Sequence, residues 1–159
     1  MYKLWEIDIL SIQNIIKEEL MDIRKYTSYF HDGSIYDIKH NGKKIVLSLE
    51  SCELEPEWNE DNIPLSKLNL ISGYLHLENV QNVYINKKKT HEKLEMIHDL
   101  GDIYHLEIKD NNMRMSASWS NDAPKLPEET DVIVYEIEAE KIYWENVPTA
   151  FDESWDELE

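Results

Sequence analysis

The sequence predicts a mainly β domain: a curved antiparallel meander of seven or eight strands, rolled into a sandwich or partial barrel, with one N-terminal helix packed on it. Three observations carry this. Apolar and polar residues alternate at period two through much of the 159 residues. Two tight-turn signals, Asn41-Gly42 and Asp110-Asn111-Asn112, each separate a pair of such stretches. The one clear stretch of helical spacing stands at the start, so the class is α+β only by count.

That helix is predicted over about residues 9–24. Ile9, Ile12, Ile16, Leu20 and Ile23 recur at three- and four-residue steps, while Gln13, Lys17, Glu18, Glu19 and Asp22 form a solvated face. Its polar side is acidic, which suits packing on a sheet better than lying on an anionic membrane.

The first hairpin runs from Tyr29 to Ser51. Asn41-Gly42 supplies the positive φ angles of a type I′ turn, and Ile45, Leu47 and Leu49 alternate with Val46, Ser48 and Glu50, so one face looks to the core. Cys52–Asn62 then reads as a loop. It holds Pro56, five acids (Glu53, Glu55, Glu57, Glu60, Asp61) and a single aromatic, Trp58.

A third strand follows over Ile71–Glu78, with Gly73 as a bulge or close-approach point, and a fourth around Val83 and Ile85. The segment Leu94–Ile97 is a further short strand candidate. A shift of 68 positions then lays Gly33 on Gly101, Ile35-Tyr36 on Ile103-Tyr104, Leu47 on Met115 and Ser48 on Ser116. Duplication and the shared demands of strands and tight turns both produce such a match. Val132–Trp144 reads as one long strand or a pair. The domain is drawn as residues 1–150, and residues 151–159 as an acidic tail.

Composition excludes several classes of function. The net charge of −17, from 16 basic and 33 acidic residues, repels phosphate backbones and anionic lipid and favours basic partners. Nucleic acid is thereby disfavoured as a ligand. The single Cys52 allows no intramolecular disulfide or cysteine zinc cage and agrees with a reducing, cytoplasmic setting. The acidic start lacks the apolar core of a signal peptide, and no apolar run is long enough to span a membrane. The four glycines lie too far apart for a phosphate-cradling loop, so no cofactor is implied.

Two sets of residues remain as candidate sites. Glu136, Glu138 and Glu140 share one side of a strand, and with the Trp58 loop, Trp144 and the tail they set aromatic anchors among acids, the equipment of a module that binds a basic protein. Alternatively, His31-Asp32 and His98-Asp99, each before a strand, hold a divalent metal for hydrolysis if the two pairs converge. Without a cofactor loop or an activated nucleophile, the sequence points away from an enzyme.

The run Phe30-His31-Asp32-Gly33-Ser34-Ile35, with Ser48-Leu49-Glu50-Ser51, Ile137-Glu138-Ala139-Glu140-Lys141-Ile142 and Trp144-Glu145-Asn146, resembles a group of small bacterial proteins that open their sheet with a similar Phe-His-Asp-Gly stretch. That resemblance carries no catalytic residue. In size, acidity and β content the chain also looks like immunity proteins that neutralise bacterial toxins, a likeness of general character without a residue motif.

Overall fold

The computed structural model describes residues 21–121 and 130–152. All but the last residues of the predicted 9–24 helix, and residues 153–159 of the tail, lie outside the described residues. From Ile23 the chain forms a 3-10 helix, Ile23–Phe30, followed by seven strands: β1 (Ser34–Asn41), β2 (Lys44–Glu53), β3 (Leu70–Ile85), β4 (Lys88–Thr90), β5 (Leu100–Lys109), β6 (Asn112–Ser120) and β7 (Ile133–Asn146). The mainly β expectation holds, but the strands do not run as one meander. Two three-stranded meanders, β1-β2-β3 and β5-β6-β7, join edge to edge through β1–β5 and β3–β7. Every pairing is antiparallel and the ring closes, so six strands form a barrel and β4 extends β3. Closure removes most of the exposed strand edge that an open sheet would offer for aggregation.

Inward positions alternate as period two requires. Ile45, Leu47 and Leu49 of β2, Met113, Met115 and Ala117 of β6, and Tyr135, Ile137 and Ala139 of β7 are all buried. Each fully buried Leu or Ile is worth roughly 1.5–3 kcal/mol. At the end of the barrel where β1 begins, the 3-10 helix inserts Ile23, Tyr26 and Phe30, all buried, and Phe30 meets Trp144 edge-on at 5.6 Å. Asp22 caps this helix through Arg24 N–H at 3.1 Å. At the turn end of β1, Leu94 is buried and donates its N–H to His40 Nδ1 at 2.8 Å, so this segment plugs the barrel without forming a strand.

Two local expectations need correction. The first hairpin turns on Gly42-Lys43, with Asn41 paired to Lys44 inside the strands and positive φ at Gly42 but not at Asn41 or Lys43. That is the pattern of a type II′ turn, which takes Gly first. The expected third and fourth strands are one, β3, bent by a register shift between Val80 and Asn82. In the Asp32-Gly33 turn the positive φ belongs to Asp32 (66°). Gly33 is required for space, because a Cβ there would stand 2.3 Å from the Glu50 carbonyl oxygen.

The resemblance between the hairpins extends through the backbone register. Each β1–β2 pair recurs 68 residues on as a β5–β6 pair, from Ser34↔Glu50 and Asp102↔Ser118 to Asn41↔Lys44 and Lys109↔Asn112. Both hairpins shift register at the same place, skipping Tyr36 in one and Tyr104 in the other. Gly42 and Asp110, also 68 apart, both take positive φ. In β3 and β7 the offset becomes 60, as Ile45↔Leu77 and Met113↔Ile137 show, because the second connecting loop is shorter. Equivalent turn carbonyls accept amides one residue apart in the repeat: Val80 N–H donates to Lys43 O at 2.8 Å and Ala139 N–H to Asn111 O at 3.0 Å. Ser34 and Asp102, themselves equivalent, pair with each other where the halves meet. This is the register of an internal two-fold axis.

Candidate protein-binding surface

The β2–β3 loop rises from the barrel end that the 3-10 helix closes. Pro56 opens a short 3-10 turn, Pro56–Trp58, and Trp58 N–H donates to Glu55 O at 3.0 Å. Asn59 then pins the loop by bonding both Ile63 N–H (2.8 Å) and Ile63 O (3.0 Å). The result is a fixed aromatic platform. Trp58, 46% exposed, stacks on Tyr29 at 5.9 Å and 16°, and Tyr29 packs against Tyr26 at 6.1 Å. The Tyr26 hydroxyl donates to the Asp61 carboxylate. Burial and that carboxylate push the hydroxyl up to about 12, so it stays a donor at any physiological pH. Glu55, Glu57, Glu60 and Asp61 are all exposed around the platform.

The other predicted anchors separate. Glu136, Glu138 and Glu140 do share the outer side of β7, but cations and amides interrupt the ladder. Glu136 is paired in register with Arg114 on β6 and Tyr84 on β3, and Glu138 accepts from Asn82 Nδ2 at 2.9 Å. Glu136 and Glu138 line a cleft of about 230 Å³ that also holds Glu107, Lys109 and Arg114, while Glu140 is exposed beside Lys141. Trp144 is not a surface anchor: it points into the barrel, is 0% exposed, and donates through Nε1 to Asn146 Oδ1 at 3.1 Å.

The two His-Asp pairs do not converge. Because β1 and β5 run antiparallel about Ser34↔Asp102, His31-Asp32 and His98-Asp99 lie in opposite directions from that point, on the order of 15–20 Å apart along the ladder. His31 Nδ1 contacts Tyr104 O and its Nε2 stands 3.8 Å from Asp32. At the other end, Asp99 N–H donates to Asn121 Oδ1 at 3.4 Å. Among the described residues no three His, Cys, Asp or Glu side chains gather as a metal site, and no helix is long and apolar enough to cross a membrane.

Two polar clusters on the outer face of the barrel carry no motif. Glu50, at an outward position of β2, is only 4% exposed. It accepts from Tyr36 Oη at 2.9 Å and from Ser72 Oγ at 3.1 Å, and burial raises its carboxyl above the usual range. On β3 and β7, His76 lies flat on Tyr143 at 4.6 Å and donates through Nε2 to Glu145 at 2.8 Å. Tyr143 donates to Glu78 at 2.8 Å, which holds that carboxyl below its ordinary value. Burial and Glu78 in turn push the Tyr143 hydroxyl up to about 12. Alternation alone marks Glu50 and Ser72 as solvent positions; the segment after β7 packs beside them, with Val147 N–H on Ser72 O and Phe151 against Tyr36 and Tyr74, a contact too distant in sequence for any local pattern to show.

Compared with protein-family models, curated proteins and solved structures, the chain matches none.

Proposed function

We propose that the chain is a non-enzymatic module that binds a basic protein, with the Trp58–Tyr29 stack as its aromatic anchor. The observation that supports this most directly is that stack, held rigid by Asn59 and the 3-10 helix and exposed among four acids. An exposed indole face accepts a lysine or arginine side chain by cation–π attraction. The surrounding carboxylates speed encounter and reject acidic partners, and the net charge of −17 acts in the same sense over longer range. An immunity-type role in the cytoplasm, in which the basic partner is a toxin domain, is the specific form of this reading that the resemblance implies.

The test is affinity capture from the source lysate at low salt, with wild-type and Trp58→Ser baits, salt-gradient elution and mass spectrometry. One basic protein held by the wild type, released at moderate salt and lost from Trp58→Ser is the expected result. A complex indifferent to salt or to Trp58→Ser contradicts the reading.

A further inference from the structure

His40 stands on the inner side of β1, two residues after buried Ile38 and paired in register with buried Ile45. The repeat fills the same place with isoleucine: Ile108, 68 residues on and paired with Met113, is buried in the second half. One half thus carries a titratable ring where the other carries an apolar side chain. Both ring nitrogens are engaged. Nδ1 lies 2.8 Å from the Leu94 amide nitrogen, which has only a proton to give, and Nε2 lies 3.1 Å from the Gly42 carbonyl oxygen, which can only accept. Those partners admit one form of the ring, the neutral one with its proton on Nε2. By contrast, His31, His76 and His105 stand 3.8, 2.8 and 3.5 Å from carboxylates, each a partner for the cation.

We infer that His40 is a pH-sensitive latch: a proton on Nδ1 releases Leu94 and lets the segment after β4 open from the barrel end in acid. The cationic ring sets one N–H against another, so the bond is lost and the Leu94 amide is left without its acceptor. This end of β1 is the place where such a loss tells. β1 is laddered to β5 only at Ser34 and Ile35, so beside His40 it has β2 alone as a strand neighbour. Leu94 belongs to the apolar cluster and Met96 packs against it, which makes the segment a closure. The charged groups around the ring come from every neighbouring element. Lys89 of β4, with His91 and Glu92 of the following segment, lines a cleft of about 180 Å³ beside it. Lys43 is exposed in the turn, Lys39 and Lys44 are exposed at outer positions of β1 and β2, and Lys44 is paired with Glu78 of β3 at 3.7 Å. These charges set the pH at which the latch opens; the two bonds of the ring set the direction.

The test uses the full chain and needs no ligand. Long-range proton–nitrogen spectra at about pH 7.5 should show His40 neutral with its proton on Nε2. Between about pH 7.5 and 5.0 the ring should gain its second proton. Over that range the protection factor of the Leu94 amide, from hydrogen exchange corrected for the intrinsic rate at each pH, should fall roughly tenfold or more, while that of Leu47 in β2 changes less than about twofold. His40→Asn offers an amide oxygen where Nδ1 stands and takes up no proton, so its Leu94 protection should not vary with pH. His40→Ile, the residue of the other half, should leave Leu94 weakly protected at both values. His91→Asn, at an exposed position, should behave as the wild type, and circular dichroism confirms the fold of each variant. A proton on Nδ1 at the higher pH, a ring still neutral at the lower, or Leu94 protection unmoved by the charged ring overturns the inference. An equal loss at Leu47 overturns it as unfolding of the whole barrel. A loss that persists in His40→Asn, or that disappears in His91→Asn, overturns it by assigning the response to another group.

Discussion

The two meanders are alike in what the backbone does and unlike in what is laid over it. β1-β2-β3 and β5-β6-β7 share their hairpin register, the irregularity at Tyr36 and Tyr104, the positive φ that opens each turn, and the carbonyls that receive Val80 and Ala139. The first half adds a longer loop bearing Trp58, and its outer face is covered by Phe151. The second half leaves Tyr104 and Val132 open. The strand frame thus serves stability twice over, while the halves differ in a loop, the turn that carries Phe151 and a few outward side chains. Function concentrating on connections positioned by a rigid scaffold is the general pattern.

The largest effect expected from breaking this equivalence is at the paired glycines. Gly33→Ala places a Cβ 2.3 Å from the Glu50 carbonyl oxygen, against backbone, whereas Gly101→Ala meets side-chain atoms of buried Ile35 and Trp119 at 2.9 Å, a less severe approach. Urea denaturation should show a loss of about 3 kcal/mol or more for Gly33→Ala and roughly 1–2 kcal/mol for Gly101→Ala. Equal losses would mean that the two approaches are equally tight. Next, Tyr135→Phe leaves the buried Trp119 Nε1–H without the hydroxyl it reaches at 2.9 Å and should cost about 1–3 kcal/mol.

Smaller effects sharpen the contrast between the outer faces. Phe151→Ala should lose about 1–2 kcal/mol, but Val132→Ser, at the open face, should stay within about 0.5 kcal/mol. Thermal denaturation of both variants checks the pair. Glu50→Gln is expected to raise stability slightly at neutral pH. Burial raises the Glu50 carboxyl above 4.5, so its contribution is fully present below that ordinary value and lost as pH rises through the raised one. Glutamine cannot ionise, and its gain should therefore appear at pH 7 and fade below about 4.5, as paired melts at the two pH values would show. A gain independent of pH would point to packing instead.

Much of the frame was legible because it is written locally. Period-two alternation marked β2, β6 and β7, and the 68-residue offset marked the repeat, although only paired strands show that the repeat includes register. Trp58 was legible as an aromatic in an acidic loop, since Pro56 and the acids exclude it from a strand. Trp144 was misplaced because it was read with the acids around it, while its own position on β7 alternates inward with Ile142. Whether the His-Asp pairs converge was open in the sequence until the antiparallel β1–β5 contact fixed their direction. Glu50, Ser72 and the Phe151 contact were out of reach, because nothing within ten residues of Glu50 reports a segment a hundred residues later.

The most direct test of the covered and open faces is tyrosine footprinting by limited nitration with mass-spectrometric readout, following Tyr36 and Tyr104 in the wild type and in Phe151→Ala. Tyr104 should react several-fold faster than Tyr36 in the wild type, and Tyr36 should approach its rate in Phe151→Ala. Equal rates for the two tyrosines in the wild type, or a Tyr36 rate unmoved by Phe151→Ala, would contradict the claim that the chain covers Tyr36 on one half of its repeated frame and leaves Tyr104 exposed on the other.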